Sequence, residues 1–308
     1  MLAPIVLFVY NRFKHTQKTI NALKRNKLAE ESKLFIFSDG YKNQKDRQKV
    51  KKVRDIINNI NGFKNIDVFE SEKNKGLANS VIDGVTKIIN KYGKVIVLED
   101  DLVTSKNFLR YMNRGLDFYE GNKDIWSISG YNIPIDIPDN YEYDVYLSYR
   151  AHSWGWATWK DRWNKIDWKI KDFDEFINNK KKQKLFNRAG NDMTRMLKRQ
   201  IKGQIDSWAI RWCYNQFEED SYTIYPVKSK VKNIGMDGSG VHCGVSNQHD
   251  VILDAKDNKV EFPKKLELNQ KILNNFKKHY ETNIFKKKIR DILIRLGIFD
   301  RLKEILGG

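Results

Sequence analysis

Four short apolar runs, separated by amphipathic stretches, fill the first hundred residues and leave few folds open. PIVLFVY (4–10), KLFIFSD (33–39), NIDVFES (65–71) and KVIVLED (94–100) are strand-length. Between them, HTQKTINALKRN, DRQKVKKVRDIINNI and LANSVIDGVTKIINKY carry apolar residues at helical spacing. Such alternation predicts an α/β fold, a mostly parallel sheet with helices on both faces. Burial on both sides accounts for strands that are apolar without interruption. Ligands of open sheets of this kind gather outside the carboxyl ends of the strands. Those ends are polar here: Asn11 and Arg12, Asp39 and Gly40, Ser71 to Gly76, and Glu99-Asp100-Asp101.

The fourth run ends in a knot of negative charge, VIVLEDD (95–101), although the formal net charge of the chain is +18. Adjacent carboxylates repel, so a cation is expected among them. Mg²⁺ or Mn²⁺ is commonly held by one or two carboxylates together with substrate phosphates, and Glu99 and Asp101 share a side of an extended backbone. The other reading is a solvated acidic turn complementing the dipole of a helix that starts in LVTSKNFL. That helix is expected across 102–120, with Thr104 or Ser105 as its N-cap.

Beyond it, DIWSISGYN (124–132) reads as a strand and 133–150 as a connection. Residues 152–168 hold five of the eight tryptophans, where Trp154 and Trp156 flank Gly155 and could wall a sugar site or fill a core. A lysine-rich helical region reaches about 204, followed by a helix in IDSWAIRWCYNQFEED and a strand in YTIYPVKSKV. The loop NIGMDGSGVHC (233–243) has the glycines for close backbone approach, and Lys228, Lys230 and Lys232 are placed to meet phosphate oxygens.

Taken in order, these stretches resemble a GT-A glycosyltransferase over roughly residues 3–245. The similarity is to the inverting N-acetylglucosaminyltransferases that begin complex N-glycan branching, and to bacterial family-2-like sugar transferases with the same acidic motif. LFVYNRFKHTQKTI resembles the first strand with its arginine, FIFSDG the second, VIVLEDDLVTSKNFLRYM the metal-binding segment and WSISGYN the strand after it. SWGWATWKDRW, DSWAIRW and KSKVKNIGMDGSGVH resemble the acceptor-side half. The resemblance implies a nucleotide-sugar-binding half at 1–132, an acceptor-binding and catalytic half of the same domain at 133–250, and a basic helical tail at 251–308. It implies transfer of a sugar, with inversion, from a nucleotide diphosphate such as a UDP-sugar to a glycan hydroxyl, helped by Mn²⁺ or Mg²⁺.

Residue by residue, Arg12 and Asp39 would bind the nucleotide, Asp39 through the uracil, and Lys75 would stand against it. Asp101 would ligate the metal, with Glu99 and Asp100 on the transferred sugar and the ribose. His242 would be a second metal ligand or a plain polar residue. The base of an inverting enzyme takes the proton of the attacking hydroxyl. In the resembling family it directly precedes a tryptophan, which here would be Ser207 before Trp208. A serine needs a base of its own, so Asp206 is the candidate.

The charge and aromatic content suit a nucleic-acid-binding protein, but no zinc-ligand spacing, RNP-like stretch or compact basic recognition helix is present. A nucleotidyltransferase shares the sheet and acidic site but needs a glycine-rich loop after the first strand, and NRFKHTQ has no glycine. A binding module without activity is compatible with the same residues. Cys213 and Cys243 form no framework, the amino terminus lacks a basic segment before its apolar run, and no stretch approaches the roughly 18 apolar residues of a membrane span. The expected location is cytoplasmic. Residues 285–308 read either as a basic helix on an anionic membrane, near a lipid-linked glycan, or as a helix packed on the protein.

Overall fold

The structure is a computed structural model that describes residues 1–238, 248–255 and 260–281. Its first part alternates β1 (Ile5–Val9), α1 (Phe13–Lys24), β2 (Lys33–Ser38), α2 (Gln44–Ile57), β3 (Asn65–Glu70), α3 (Leu77–Tyr92) and β4 (Lys94–Glu99). There follow β5 (Leu102–Thr104), α4 (Phe108–Tyr119), β6 (Ile125–Ser129), β7 (Val145–Ser148), β8 (Trp156–Trp159) and α5 (Lys160–Trp163). The described residues continue with α6 (Phe173–Asn178), α7 (Lys180–Phe186), α8 (Met193–Ile201), α9 (Trp208–Glu218), β9 (Tyr222–Pro226), β10 (Val231–Asn233) and α10 (Gln270–His279).

Eight strands form one sheet in the order β3-β2-β1-β4-β8-β6-β9-β7. The β3, β2, β1 and β4 strands pair in parallel, as do β6 and β9, while β8 and β7 run against their neighbours. The fold is therefore the expected mostly parallel α/β sheet. Alternation along β1 divides the core. Ile5, Leu7 and Val9 join Ile20, Leu23, Val53, Leu109 and Met112 on one face. Val6 and Phe8 join Val81, Val85, Ile88, Trp163 and Trp212 on the other. Helices α1, α2 and α4 thus cover one side, and α3, α5 and α9 the second.

Three expectations change. The 102–120 segment is not helical throughout: Leu102–Thr104 extends as β5 and pairs antiparallel with β10, so α4 begins at Phe108 behind Asn107. The β-branched Val103 and Thr104 favour that extension. The 133–150 connection contains β7 at the sheet edge. The tryptophan-rich stretch supplies β8, which lies between β4 and β6. From 251 onward, α10 packs Ile272, Leu273 and Phe276 into the core, and the basic segment 285–308 lies outside the described residues. Among the described residues no helix is long and apolar enough to cross a membrane.

Candidate functional site

The chain leaves β1 to one side for β2 and β3, then crosses to β4 on the other side, so the order of the sheet reverses between β1 and β4. Such a reversal opens a crevice at the carboxyl ends of the two strands. Arg12, just after β1, meets the turn after β4 there. Its Nη2 donates to Asp100 Oδ1 at 2.6 Å and to Asp101 Oδ2 at 2.9 Å. Asp100 Oδ2 also accepts the Tyr10 N–H at 3.2 Å, and the Asp100 carbonyl accepts from Thr19 at 2.8 Å. The Asp101 carbonyl accepts the Ile234 N–H at 2.8 Å, which continues the β5–β10 ribbon.

Because β5 and a further turn separate these carboxylates from α4, they do not serve as first-turn acids of a helix. A cation does sit among them, and it is Arg12. One guanidinium still faces three carboxyl groups. Burial, then Asp101 and Asp100, push the Glu99 carboxyl up to about 8. Burial also raises Asp100, against the pull of Arg12. Asp101 is 7% exposed, and its Oδ1 is buried with no hydrogen-bond partner among the described residues. An unpartnered buried carboxylate oxygen is costly, and it is the kind of donor a divalent cation takes.

Gly235 closes over this group. A Cβ there would come within 2.1 Å of Asp101 Oδ2 and 2.7 Å of Arg12 Nη1. His15, in the first turn of α1, pins the same loop: its Nε2 is 3.1 Å from the Ile234 carbonyl oxygen and 3.2 Å from Asp237 Oδ2. The glycines of this loop are expected to allow close approach, whereas His15 is not apparent from sequence, because its contact with Ile234 spans 219 positions. Two lysines expected to meet phosphate are engaged elsewhere, Lys230 with Asp254 in a buried pair and Lys232 with Asp250.

A second group of sequence candidates gathers on residues 74–78. Asp39 Oδ1 accepts the N–H groups of Gly40 and Lys75 at 2.9 Å each, while its Oδ2 accepts Asn74 Nδ2 at 3.0 Å and the Gly76 N–H at 3.1 Å. The Asp39 carboxylate thus anchors the β3–α3 connection. Lys75 contributes its backbone N–H to that anchor, and its ammonium pairs with Asp83 at 3.0 Å. Asp206 Oδ2 accepts the Ala78 N–H at 3.2 Å, completing the start of α3 behind Gly76, whose φ of 80° and missing side chain leave no cap. Ser207 is occupied as the N-cap of α9, accepting the Ile210 N–H at 3.3 Å. Asp206 itself is exposed.

The two tryptophans part company. Trp156 is 2% exposed, with its ring 4.7 Å from Trp208 and 5.7 Å from Trp212. It fills the core beneath α9 and does not wall a site. Trp154 is half-buried beyond the carboxyl end of β6, 4.7 Å from the rings of both Tyr131 and His152 and 5.6 Å from His249. His279 of α10 contacts His249 at 3.0 Å. Nearby, Arg150 grips Asp192 with two bonds of 2.8 and 3.0 Å and stacks on Tyr280. His242 lies outside the described residues. Among the described residues no group of three histidine, cysteine or acidic side chains could hold a metal, so any cation at Asp101 would draw its other ligands from elsewhere.

Burial, and after it Arg150, hold His152 and His249 below the usual imidazole range, and His279 falls to about 4 through burial, His249 and Arg150. The unfolded chain therefore takes up these protons first. Their contribution to stability is whole above the ordinary value of 6.5 and is lost as pH falls toward 4. Glu99, shifted upward, works in the opposite direction over this range. The comparison is therefore with His279→Gln. Wild type should lose more melting temperature than this variant between about pH 7.5 and about pH 5, and equal losses would remove His279 from the account.

No family model matches this chain, and no curated protein does. Solved structures give distant likenesses. S. aureus TarS 1–349 shares 10% identity over 75% of this chain and 60% of its own, with a TM-score of 0.43. The mannosyltransferase PcManGT from Pyrobaculum calidifontis, in complex with GDP-Man and Mn²⁺, shares 8% over 52% and 46%, at 0.34. A UDP-glucose pyrophosphorylase complexed with UDP-glucose shares 12% over 73% and 90%, at 0.36. The chain spans 60% of the length of the TarS fragment and less than half of the mannosyltransferase. Likenesses this distant decide neither the fold nor the chemistry, which rest on the geometry above.

Proposed function

We propose that this chain is a GT-A-type glycosyltransferase, moving a sugar with inversion from a nucleotide diphosphate, UDP-linked, to a carbohydrate hydroxyl. The observation that carries the reading is the buried, unpartnered Asp101 Oδ1 in an acidic knot at the β1–β4 crevice. Asp101 is the ligand for Mn²⁺ or Mg²⁺, with His242 as a further candidate. A bound divalent ion would supply neutralisation of the charge that builds on the departing diphosphate.

The chain's own groups do the rest. Glu99 and Asp100 orient the transferred sugar and the ribose. Arg12 meets the diphosphate. Asp39 holds the 74–76 loop, with Lys75, along the nucleotide edge. Asp206 takes the proton of the acceptor hydroxyl, its exposure giving the acceptor access and its bond to the start of α3 fixing its position. Trp154, with its half-buried ring, offers a face on which a sugar packs. The acceptor is a glycan, lipid-linked where the basic tail reaches an anionic membrane from the cytoplasm, and the setting is bacterial surface polysaccharide assembly.

Thermal-shift and mass-spectrometric screening against a panel of nucleotide sugars, with and without Mn²⁺, tests this. One sugar nucleotide should stabilise the protein only when Mn²⁺ is present, and transfer to glycan acceptors should follow. Indifference to every sugar nucleotide would sink the proposal. Exchange of pyrophosphate with UTP and a sugar phosphate would move it to a nucleotidyltransferase.

A further inference from the structure

The geometry points to Arg12 as the internal competitor that couples cation capture to capture of the nucleoside diphosphate. The inference rests on the function proposed above. Both hydrogen bonds of the Arg12 side chain come from a single nitrogen, Nη2, and run to two different carboxylates at 2.6 and 2.9 Å. Its Nε and Nη1 donate to no described residue, and the side chain keeps 18% of its exposure. Nη1 lies directly beneath Gly235, whose missing Cβ leaves room for it. A guanidinium has five N–H donors in a rigid fork that suits phosphate, and most of this fork is uncommitted.

The free carboxylate oxygen is Asp101 Oδ1, on the same carboxyl group that Arg12 holds through Oδ2. A divalent cation there would share one carboxylate with the guanidinium, and two like charges would crowd a partly buried site. Cation binding on its own is therefore disfavoured by Arg12. A diphosphate changes the sign of the interaction, because its oxygens can bridge the cation and the spare N–H groups. Cation and nucleoside diphosphate should then bind cooperatively, each raising the affinity of the other by the same factor. Until both arrive, Arg12 keeps the acidic knot partly neutralised and in place.

Mn²⁺ titration followed by electron paramagnetic resonance, with and without UDP, reads this coupling without turnover. In the wild-type protein UDP should raise Mn²⁺ affinity by about tenfold or more, within the usual range of coupling. Arg12→Gln should bind Mn²⁺ alone more tightly than wild type by a comparable factor, with the UDP enhancement falling toward one. Arg12→Lys keeps the charge but loses the fork, so Mn²⁺ alone should bind as in wild type while the enhancement drops at least roughly threefold. If Arg12→Gln does not fold, the lysine variant decides. Equal Mn²⁺ affinity in wild type and Arg12→Gln, or full enhancement in Arg12→Lys, overturns the inference and leaves the proposed function standing. Failure of Mn²⁺ to bind the wild-type protein even with UDP overturns both.

Discussion

Asp101→Asn is expected to abolish turnover and Mn²⁺-dependent UDP binding without unfolding the protein. Loss of a cation that stabilises leaving-group charge by several kcal/mol corresponds to a fall of about a thousandfold or more, at 1.36 kcal/mol per decade. Stability should move the other way. Asp101 sits against Asp100 and Glu99 with one guanidinium between them, so removing its charge relieves repulsion while the 2.6 Å Arg12–Asp100 bond remains. The melting temperature should hold or rise. A variant with low activity and a low melting temperature would point to misfolding, and near-normal activity would remove Asp101 as the ligand.

Asp206→Asn should lower turnover by roughly a hundredfold or more, the scale of a lost general base, with donor affinity unchanged. Asparagine keeps a carbonyl oxygen where Asp206 Oδ2 accepts the Ala78 N–H, so the start of α3 is preserved. Ser207→Ala is the matched control. It removes the N-cap of α9 and should cost about 1 kcal/mol of stability with little change in turnover. The reverse pattern, in which the serine variant loses turnover and the asparagine variant does not, would place the base elsewhere.

The parallel half of the sheet was legible because buried parallel strands are written as unbroken apolar runs, and β1 through β4 fall within the expected segments. The elements that were missed are short or ambiguous. Leu-Val-Thr of β5 becomes a strand only because β10 supplies a partner more than a hundred residues later. β8 reads as a cluster of aromatics until its place between β4 and β6 is known. At the site, the acidic knot was visible, whereas its resident counter-charge was not, since Arg12 and Asp100 lie 88 positions apart. Asp39 was picked out as a ligand-binding residue, and the five hydrogen bonds that tie it to residues 40 and 74–76 have no local signature. Trp154 and Trp156 are two positions apart and would share a face of a regular strand. Gly155, with φ of 63°, turns the chain between them, and the two rings pack against different core clusters, Trp154 half-buried and Trp156 fully.

That core has an optical consequence. Trp126, Trp156, Trp163, Trp168, Trp208 and Trp212 form a chain of indoles with neighbouring ring centres 4.7 to 5.8 Å apart. Excitation absorbed by any of them can migrate among the others before emission. Trp208 ends this relay two residues after Asp206, so a shift of α9 during substrate capture would be reported by intrinsic fluorescence, with no dye attached.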